Sequence, residues 1–310
     1  MSIFYREVLG RDFRLRGFIP ARYYPRGFVI AWVELVGFRA NEKPGDKEEE
    51  DGVTADSFER VALVTGAAGG IGRAVSVRLA HAGWSVLATD LPEASCEETL
   101  RAVREAGGDG MTLAQDVTST SGWKDVVEAI RDRWGRLDAL VNNAGIEGVV
   151  APFENSPEDA FDRVMAVNVK GVFLGIQTCL PILRERGGGS VVNVASVAGL
   201  VGDPNIAPYI ASKHAVLGLT RSAALSAAAD GVTVNAVCPS PIETRMMRAL
   251  EKGMSEEAPD AIRTSIAGSI PLGRYGSPEE VASMVAFLVG EEARFVTGSI
   301  HTVDGGMTPH

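Results

Sequence analysis

The stretch Arg60–Gly72, RVALVTGAAGGIG, decides the fold. A short run of β-branched and aliphatic residues ends at Thr65, a glycine-rich turn follows, and GIGRAVSVRLAHAG then spaces its apolar residues as a helix does. Gly66, Gly70 and Gly72 sit where the strand becomes the helix. Glycines there let backbone approach a ligand closely, and the opening helix offers free N–H groups and the positive end of its dipole, a setting suited to a pyrophosphate. The next strand, WSVLATD, ends in Asp90, about twenty residues further on, where an acid can accept both hydroxyls of a ribose. A helix cap or loop acid would explain Asp90 alone, but not its place in this series.

The alternation continues outward from that unit. Strand-like MTLAQD, DALVNN, SVVNVAS, VTVNAVC and SIHTVDG are separated by helix-length segments: one around WKDVVEAIRDRWG, one from Pro157 to Arg186, one containing YIASK, and one from Pro278 to Gly290. Strands joined by helical crossovers pair in parallel, so the expected fold is α/β, a single Rossmann-type doubly wound parallel sheet with helices on both faces. Ligands in such sheets sit beyond the carboxyl ends of the strands.

The 310 residues read as two parts, an extension over residues 1–58 and a domain over 59–310. The first forty residues hold seven arginines against three acids, with many aromatics, and NEKPGDKEEEDG follows as a charged linker. This part is expected to be poorly ordered. Its most apolar run, FVIAWVELVGF from Phe28 to Phe38, contains Glu34 and is too short to span a bilayer of roughly 30 Å. No secretory signal pattern opens the chain. A net charge of −10 argues against nucleic acid as a partner. Three scattered cysteines, Cys96, Cys179 and Cys238, fit a reducing compartment, read as the cytoplasm, and four histidines without ligand spacing give no metal site.

YIASK places the phenol of Tyr209 one helical turn from the ammonium of Lys213, with Cβ atoms expected roughly 5–6 Å apart on one face. Alone, such a pair is common on solvated helices. A phenol has an ordinary pKa of about 10, and a nearby cation would lower it toward usefulness as a general acid/base. Ser196, after the preceding strand, can hydrogen-bond a substrate oxygen as alkoxide-like charge develops. This pattern suits oxidation of an alcohol, in which a proton leaves oxygen as hydride leaves carbon.

The motifs TGxxxGxG at 65–72, DVT from Asp116, NNAG from Asn142 to Gly145, Asn168 in VNVKG, Ser196 in NVASVAG, YxxxK and VDGG together resemble the short-chain dehydrogenase/reductase family from Arg60 to about Met307. The resemblance implies catalytic roles for Asn168, Ser196, Tyr209 and Lys213, with Asn168 positioning a water and Lys213 also holding the nicotinamide ribose. It implies an NAD site formed by Gly66, Gly70, Ile71, Gly72, Asp90, Asp116, Val117, Asn143, Ala144, Gly145, Pro239, Ile242 and Thr244, together with Tyr209 and Lys213. It also implies a homo-tetramer built on the helix after Tyr209, where Ala223, Ala224, Ala227 and Ala228 would permit close contact. One departure stands out: Ser240 follows Pro239 where the family usually has glycine.

The substrate side is expected to come from GLVGDPNIAP and from the connection Pro239–Gly268. Val197, Ile206, Met246 and Met247 are the candidate apolar contacts, and Glu147 is an acid at the pocket mouth that either binds a second hydroxyl or faces solvent. NNAGIEG and the lid weakly resemble members acting on cyclic ketones and diols. The leading reading is an NAD-dependent dehydrogenase of a neutral, fairly apolar secondary alcohol. Alternatives are a 3-oxoacyl-thioester reductase, for which neither Asp90 nor the acidic chain speaks, and a non-catalytic dinucleotide-sensing module, which usually lacks the Tyr or the Lys.

Overall fold

A computed structural model describes residues 60–308; the extension at 1–58, and the expectation that it is poorly ordered, lie outside the described residues. Seven strands form one sheet in the order β3-β2-β1-β4-β5-β6-β7, every neighbouring pair parallel. They are β1 (Arg60–Thr65), β2 (Trp84–Asp90), β3 (Gly110–Ala114), β4 (Ala139–Asn142), β5 (Gly189–Val194), β6 (Val232–Pro239) and β7 (Ile300–Val303). The chain winds outward from β1 through β2 to β3, then returns to place β4 on the other side of β1. That reversal opens a crevice between the ends of β1 and β4.

The helices between them are α1 (Gly70–Ala80), α2 (Glu97–Glu105), α3 (Thr120–Trp134), α4 (Glu158–Met165), α5 (Gly171–Glu185), α6 (Ala207–Ala227), α7 (Arg245–Met254), α8 (Pro259–Ser269) and α9 (Pro278–Val289). Alternation along the central strands divides the core. In β1, Val61 and Leu63 face Trp123 and Ile130 of α3, Cys179 and Leu183 of α5 and Leu217 of α6. Ala62 and Val64 face the other way, toward Leu79 of α1 and Leu288 of α9. Strands buried on both faces need continuous apolar runs, which is why RVALVT and VTVNAVC show no polar alternation.

Two features differ from the sequence reading. The helical region expected over Pro157–Arg186 is helical throughout, but a π-helical segment, Ala166–Lys170, which the sequence did not announce, joins α4 to α5. The whole run Glu158–Glu185 is long and apolar enough to cross a membrane, but half of its apolar window is buried within the protein. Val172, Ile176, Cys179 and Leu183 in it belong to the core that covers one face of the sheet. The connection Pro239–Gly268, read without helices, holds α7 and most of α8. Glu243 binds Arg248 of α7 and Arg263 of α8, and Arg248 also reaches the buried Glu251 at 2.7 Å, so the lid is ion-paired within itself.

Candidate active site

The carboxyl end of β1 is stapled to that of β4. Thr65 Oγ1 accepts the N–H groups of Asn143 and Ala144 at 3.1 Å each, while Asn143 Nδ2 donates to the carbonyls of Thr65 and Gly66 at 2.9 and 3.0 Å. Asn143 therefore supports the glycine turn from behind. Thr65 was not singled out from the sequence, although its place directly before Gly66 was a usable signal. Gly66 has φ +64°, and a Cβ on Gly72 would come within 2.2 Å of the Gly66 carbonyl oxygen, so glycine lets α1 start against the strand end. Asn142 Nδ2 donates to Asn193 Oδ1 at 2.8 Å, tying β4 to β5 beneath the site.

Several observations fit a dinucleotide in this crevice. The N-cap of α1 is Gly69, with no side-chain cap and no acid in the first turn, so its N–H groups are left to a ligand. A Cβ at Gly69 would meet nothing within 4 Å, leaving room above the turn. Asp90 accepts the N–H of Ala68 through Oδ2 at 2.9 Å and that of Leu91 through Oδ1 at 2.8 Å, which orients the carboxylate at the end of β2 with lone pairs to spare. No arginine was expected beside it, yet Arg73 lies nearby: its guanidinium donates to the Ala68 carbonyl at 2.5 Å and pairs with Glu98 at 2.8 Å.

The other residues expected to border a cofactor are placed as follows. Ile71 is half-buried and packs on the core beneath the turn. Asp116 Oδ1 accepts from Thr118 N–H at 2.8 Å, shaping the turn after β3, and Val117 is buried behind it. Ile242 is buried after the end of β6 at Pro239. Thr244 caps α7 by accepting from Met247 N–H, and its methyl lies 3.3 Å from where a Gly70 Cβ would be, so the base of the lid abuts the glycine turn. Ser240, in place of glycine, donates its N–H to the Val303 carbonyl at 3.1 Å and continues the ladder from β6 to β7.

Tyr209 and Lys213 share one face of α6, and Ser196 and Gly145 border them. Asn168, held by the π-helical segment, binds both backbone groups of Ile146: Oδ1 accepts the N–H at 2.8 Å and Nδ2 donates to the carbonyl at 2.9 Å. Its Nδ2 also lies 3.0 Å from Ser212 Oγ, a partner not picked out from the sequence. Extra residues in a π turn re-aim a side chain, and π segments are frequent at functional sites. A Cβ on Gly145 would be 3.3 Å from Asn168 Oδ1 and 3.7 Å from Lys213 Nζ, the Tyr209 ring centre is 5.4 Å from that Nζ, and the Ser196 hydroxyl bonds the phenol, so the four candidate catalytic residues are linked neighbour to neighbour.

The lysine does not, however, lower the phenol's pKa in this state. Lys213 Nζ donates to the Val194 carbonyl at 3.1 Å and stands 5.4 Å from the Tyr209 ring centre. Burial pulls the amine down to about 8, which the Cys238 thiol opposes only slightly. Burial pushes the phenol up to about 12; the Ser196 hydroxyl pulls it back, and the charges of Glu147 and Cys238 push it further up. The expectation of a lowered phenol is thereby corrected: removing the phenolate from water outweighs the lysine one turn away.

Of the candidate substrate contacts, Val197 is buried in the turn after β5, while Ile206, Met246 and Met247 are half-buried at the starts of α6 and α7. Glu147 is half-buried in the loop after β4. Leu200 and Val201, also read as lid residues, are 40% and 46% exposed.

A family model described as enoyl-(acyl carrier protein) reductase matches residues 66–308. Levodione reductase of Leifsonia aquatica is 38% identical over 252 residues, covering 81% of this chain and 94% of that one. Cis-4-hydroxycyclohexanecarboxylate dehydrogenase of Sinomonas cyclohexanicum is 41% identical over 254 residues, 81% of this chain and 97% of the relative. The solved structure of an NAD+-bound xylitol dehydrogenase superposes with a TM-score of 0.76 at 35% identity, covering 80% of this chain and 99% of that one. The chain belongs to the short-chain dehydrogenase/reductase family. It is an oxidoreductase of the kind that acts on CH–OH donors with a nicotinamide dinucleotide.

Proposed function

We propose that the chain interconverts a neutral, largely apolar and cyclic secondary alcohol with its ketone, using NAD rather than NADP. The observation that carries this reading is the convergence of Asn168, Ser196, Tyr209 and Lys213 beside Gly145, across the crevice from the uncapped start of α1. The half-buried apolar side chains of Ile206, Met246 and Met247 favour an apolar substrate. The names of two relatives, a levodione reductase and a hydroxycyclohexanecarboxylate dehydrogenase, favour a ring.

Tyr209 takes the proton from the substrate hydroxyl during oxidation and returns it during reduction. Ser196 donates a hydrogen bond to the same oxygen and steadies the charge that forms on it. Asn168 holds the Ile146 backbone and so fixes the wall of the site next to Gly145. The glycine turn, the N–H groups of α1 and Asp90 bind and orient the dinucleotide, with Lys213 beside its nicotinamide ribose. When bound, the nicotinamide supplies the two-electron acceptor that no side chain of the protein provides.

The test is a panel of cyclic and acyclic secondary alcohols with NAD and with NADP, followed by reduced nicotinamide absorbance. Oxidation of a cyclic alcohol with NAD is expected; activity only on a 3-oxoacyl thioester with NADPH would overturn the reading. That second activity is kept as an arm of the test because the matching family model is described by an acyl carrier protein substrate. Retention of both Tyr209 and Lys213 argues against a non-catalytic sensor.

We also propose a cytoplasmic homo-tetramer. Of the four small residues on α6, Ala224 and Ala227 pack into the protein's own core, while Ala223 is half-buried and Ala228 exposed, so α6 can still meet a second copy. Helices α4, α5 and α6 pack side by side and expose Phe161, Phe173 and Leu225, an apolar surface suited to a second copy. A monomer by light scattering at micromolar concentration would refute the assembly.

A further inference from the structure

Asn168 grips Ile146, and its amide also reaches across to the helix that carries Tyr209. Asn168 Nδ2 donates to Ser212 Oγ at 3.0 Å, and Ser212 Oγ donates its own proton to the Tyr209 carbonyl at 2.7 Å. Both side chains are shut away from solvent, Ser212 at 0% and Asn168 at 1% exposure. A carbonyl can only accept, so it takes the one hydroxyl proton and leaves the Ser212 oxygen to receive the Asn168 N–H. The chain of bonds therefore runs from the Ile146 backbone through Asn168 and Ser212 to the backbone of Tyr209.

Tyr209 lies in the first turn of α6, where a hold of this kind matters. The N-cap, Ile206, supplies no side-chain cap, and Pro208 stands in that turn. Uncapped helix starts are where helices open first. On another side the turn after Ser196 packs on α6, since a Cβ on Gly199 would come within 2.9 Å of the Lys213 carbonyl. A serine that bonds back to a carbonyl of the preceding turn is ordinary in helices: Ser76 does so to Gly72 at 2.8 Å and Ser283 to Glu279 at 2.9 Å. Ser212 differs because a buried amide from another segment bonds the same hydroxyl. Thr220, about two turns further along α6, is built in the same way. Asn193 Nδ2 donates to its Oγ1 at 2.9 Å, and that hydroxyl donates to the Val216 carbonyl at 2.8 Å. One clamp closes on Tyr209 and the other on a core valine, which gives the molecule its own control.

We propose that Ser212 is a positioning residue for proton transfer: by clamping the Tyr209 carbonyl and taking the Asn168 amide, it fixes the phenol relative to the wall that Asn168 holds at Ile146. Thr220 serves the fold alone. This deepens the dehydrogenase reading above and rests on it.

The experiment measures kcat and KM with NAD for cyclohexanol or the best alcohol of the panel above, dinucleotide binding by fluorescence, and urea unfolding, all in the full chain. Ser212→Ala and Thr220→Val are each made in the wild type, and Ser212→Ala is also made in Tyr209→Phe. Both single variants leave a buried amide N–H without its acceptor and should unfold at lower urea. Ser212→Ala is expected to lower kcat by roughly tenfold or more, within the 10²-fold that a misplacement of about 1 Å can cost, with dinucleotide affinity nearly unchanged. Thr220→Val should keep kcat close to that of the wild type. In Tyr209→Phe, which has no phenol proton to place, Ser212→Ala should take little further from the residual turnover. An unchanged kcat in Ser212→Ala, an equal loss in Thr220→Val, or an equal loss in the Tyr209→Phe background overturns the inference and leaves the dehydrogenase reading standing. A wild-type chain that oxidises no alcohol of the panel overturns both.

Discussion

Lys213 directs its Nζ at the Val194 carbonyl, 3.1 Å away, and not at the hydroxyl of Tyr209, whose ring centre is 5.4 Å from the same nitrogen. With the amine drawn down to about 8 and the phenol raised to about 12, the pair in this state holds its proton on the phenol. With Tyr209 in the proposed role, a phenol that keeps its proton favours donation to a ketone over acceptance from an alcohol.

The consequence is a pH asymmetry between the two directions. A raised pKa means the phenolate fraction grows with pH throughout the neutral and mildly alkaline range, so alcohol oxidation should climb from about pH 6 to pH 10. Ketone reduction needs the protonated phenol and should be nearly level over the neutral part of that range. Initial rates in both directions at saturating dinucleotide check this; oxidation that falls as pH rises would contradict the assignment of Tyr209 as the proton acceptor.

Tyr209→Phe separates chemistry from structure. The ring stays packed on α6 and only the exchangeable proton is lost. Turnover should drop by about 10²-fold or more, while thermal stability and dinucleotide binding by fluorescence titration stay close to wild type. Turnover within a few fold of wild type would remove the residue from the mechanism.

What the sequence made legible depends on how local each determinant is. The sheet could be read because strands covered on both faces must be apolar throughout, and the crevice because its glycines and Asp90 lie next to the strand ends that place them. Asn168 could be matched by motif, but its grip on Ile146 depends on a π segment that no periodicity announces. The direction of Lys213 depends on a carbonyl in β5, nineteen residues away. Ala224 and Ala227 look like interface residues in a list of small side chains; only the packing of α6 on the sheet shows that they face inward.

Asp90 gives a test of dinucleotide choice. Its carboxylate is fixed by the N–H groups of Ala68 and Leu91, and the neighbouring Arg73 is engaged by Glu98. A 2′-phosphate would meet the acid with no unpaired cation beside it, so NAD should be favoured by about tenfold or more. Asp90→Asn should narrow the ratio of kcat/KM values, and adding Glu98→Gln, which releases Arg73, should narrow it further. Equal use of both dinucleotides by the wild type would show that the carboxylate does not face the ribose.

Asn168→Ala should damage the site through the wall it holds. The substitution strands the N–H and carbonyl of Ile146 and takes a partner from Ser212 Oγ, in a position only 1% exposed. Leaving such groups unpaired costs about 1–3 kcal/mol. Denaturant unfolding should show that loss, and kcat should fall as the loop beside Gly145 loosens. Unchanged stability would mean that water or a side chain fills the gap, and that Asn168 supports less of the site than its bonds suggest.

Residues 1–55 can be removed to ask whether the domain is self-sufficient. Every strand of the sheet and every candidate site residue lies between Arg60 and Thr308. β1, the strand nearest the extension in sequence, is already paired on both sides, with β2 through Arg60–Thr65 and with β4 through Ala62–Val64, so it has no open edge for a further strand. Its first residue is anchored within the domain as well, the Arg60 guanidinium stacking 4.5 Å from the Trp84 ring. Loss of the extension should therefore leave Tm within a few degrees of the full chain and kcat and NAD affinity nearly unchanged. A large fall in either activity or Tm would assign the extension to the folded enzyme, and a fall that depends on protein concentration would place its contribution at an interface between copies.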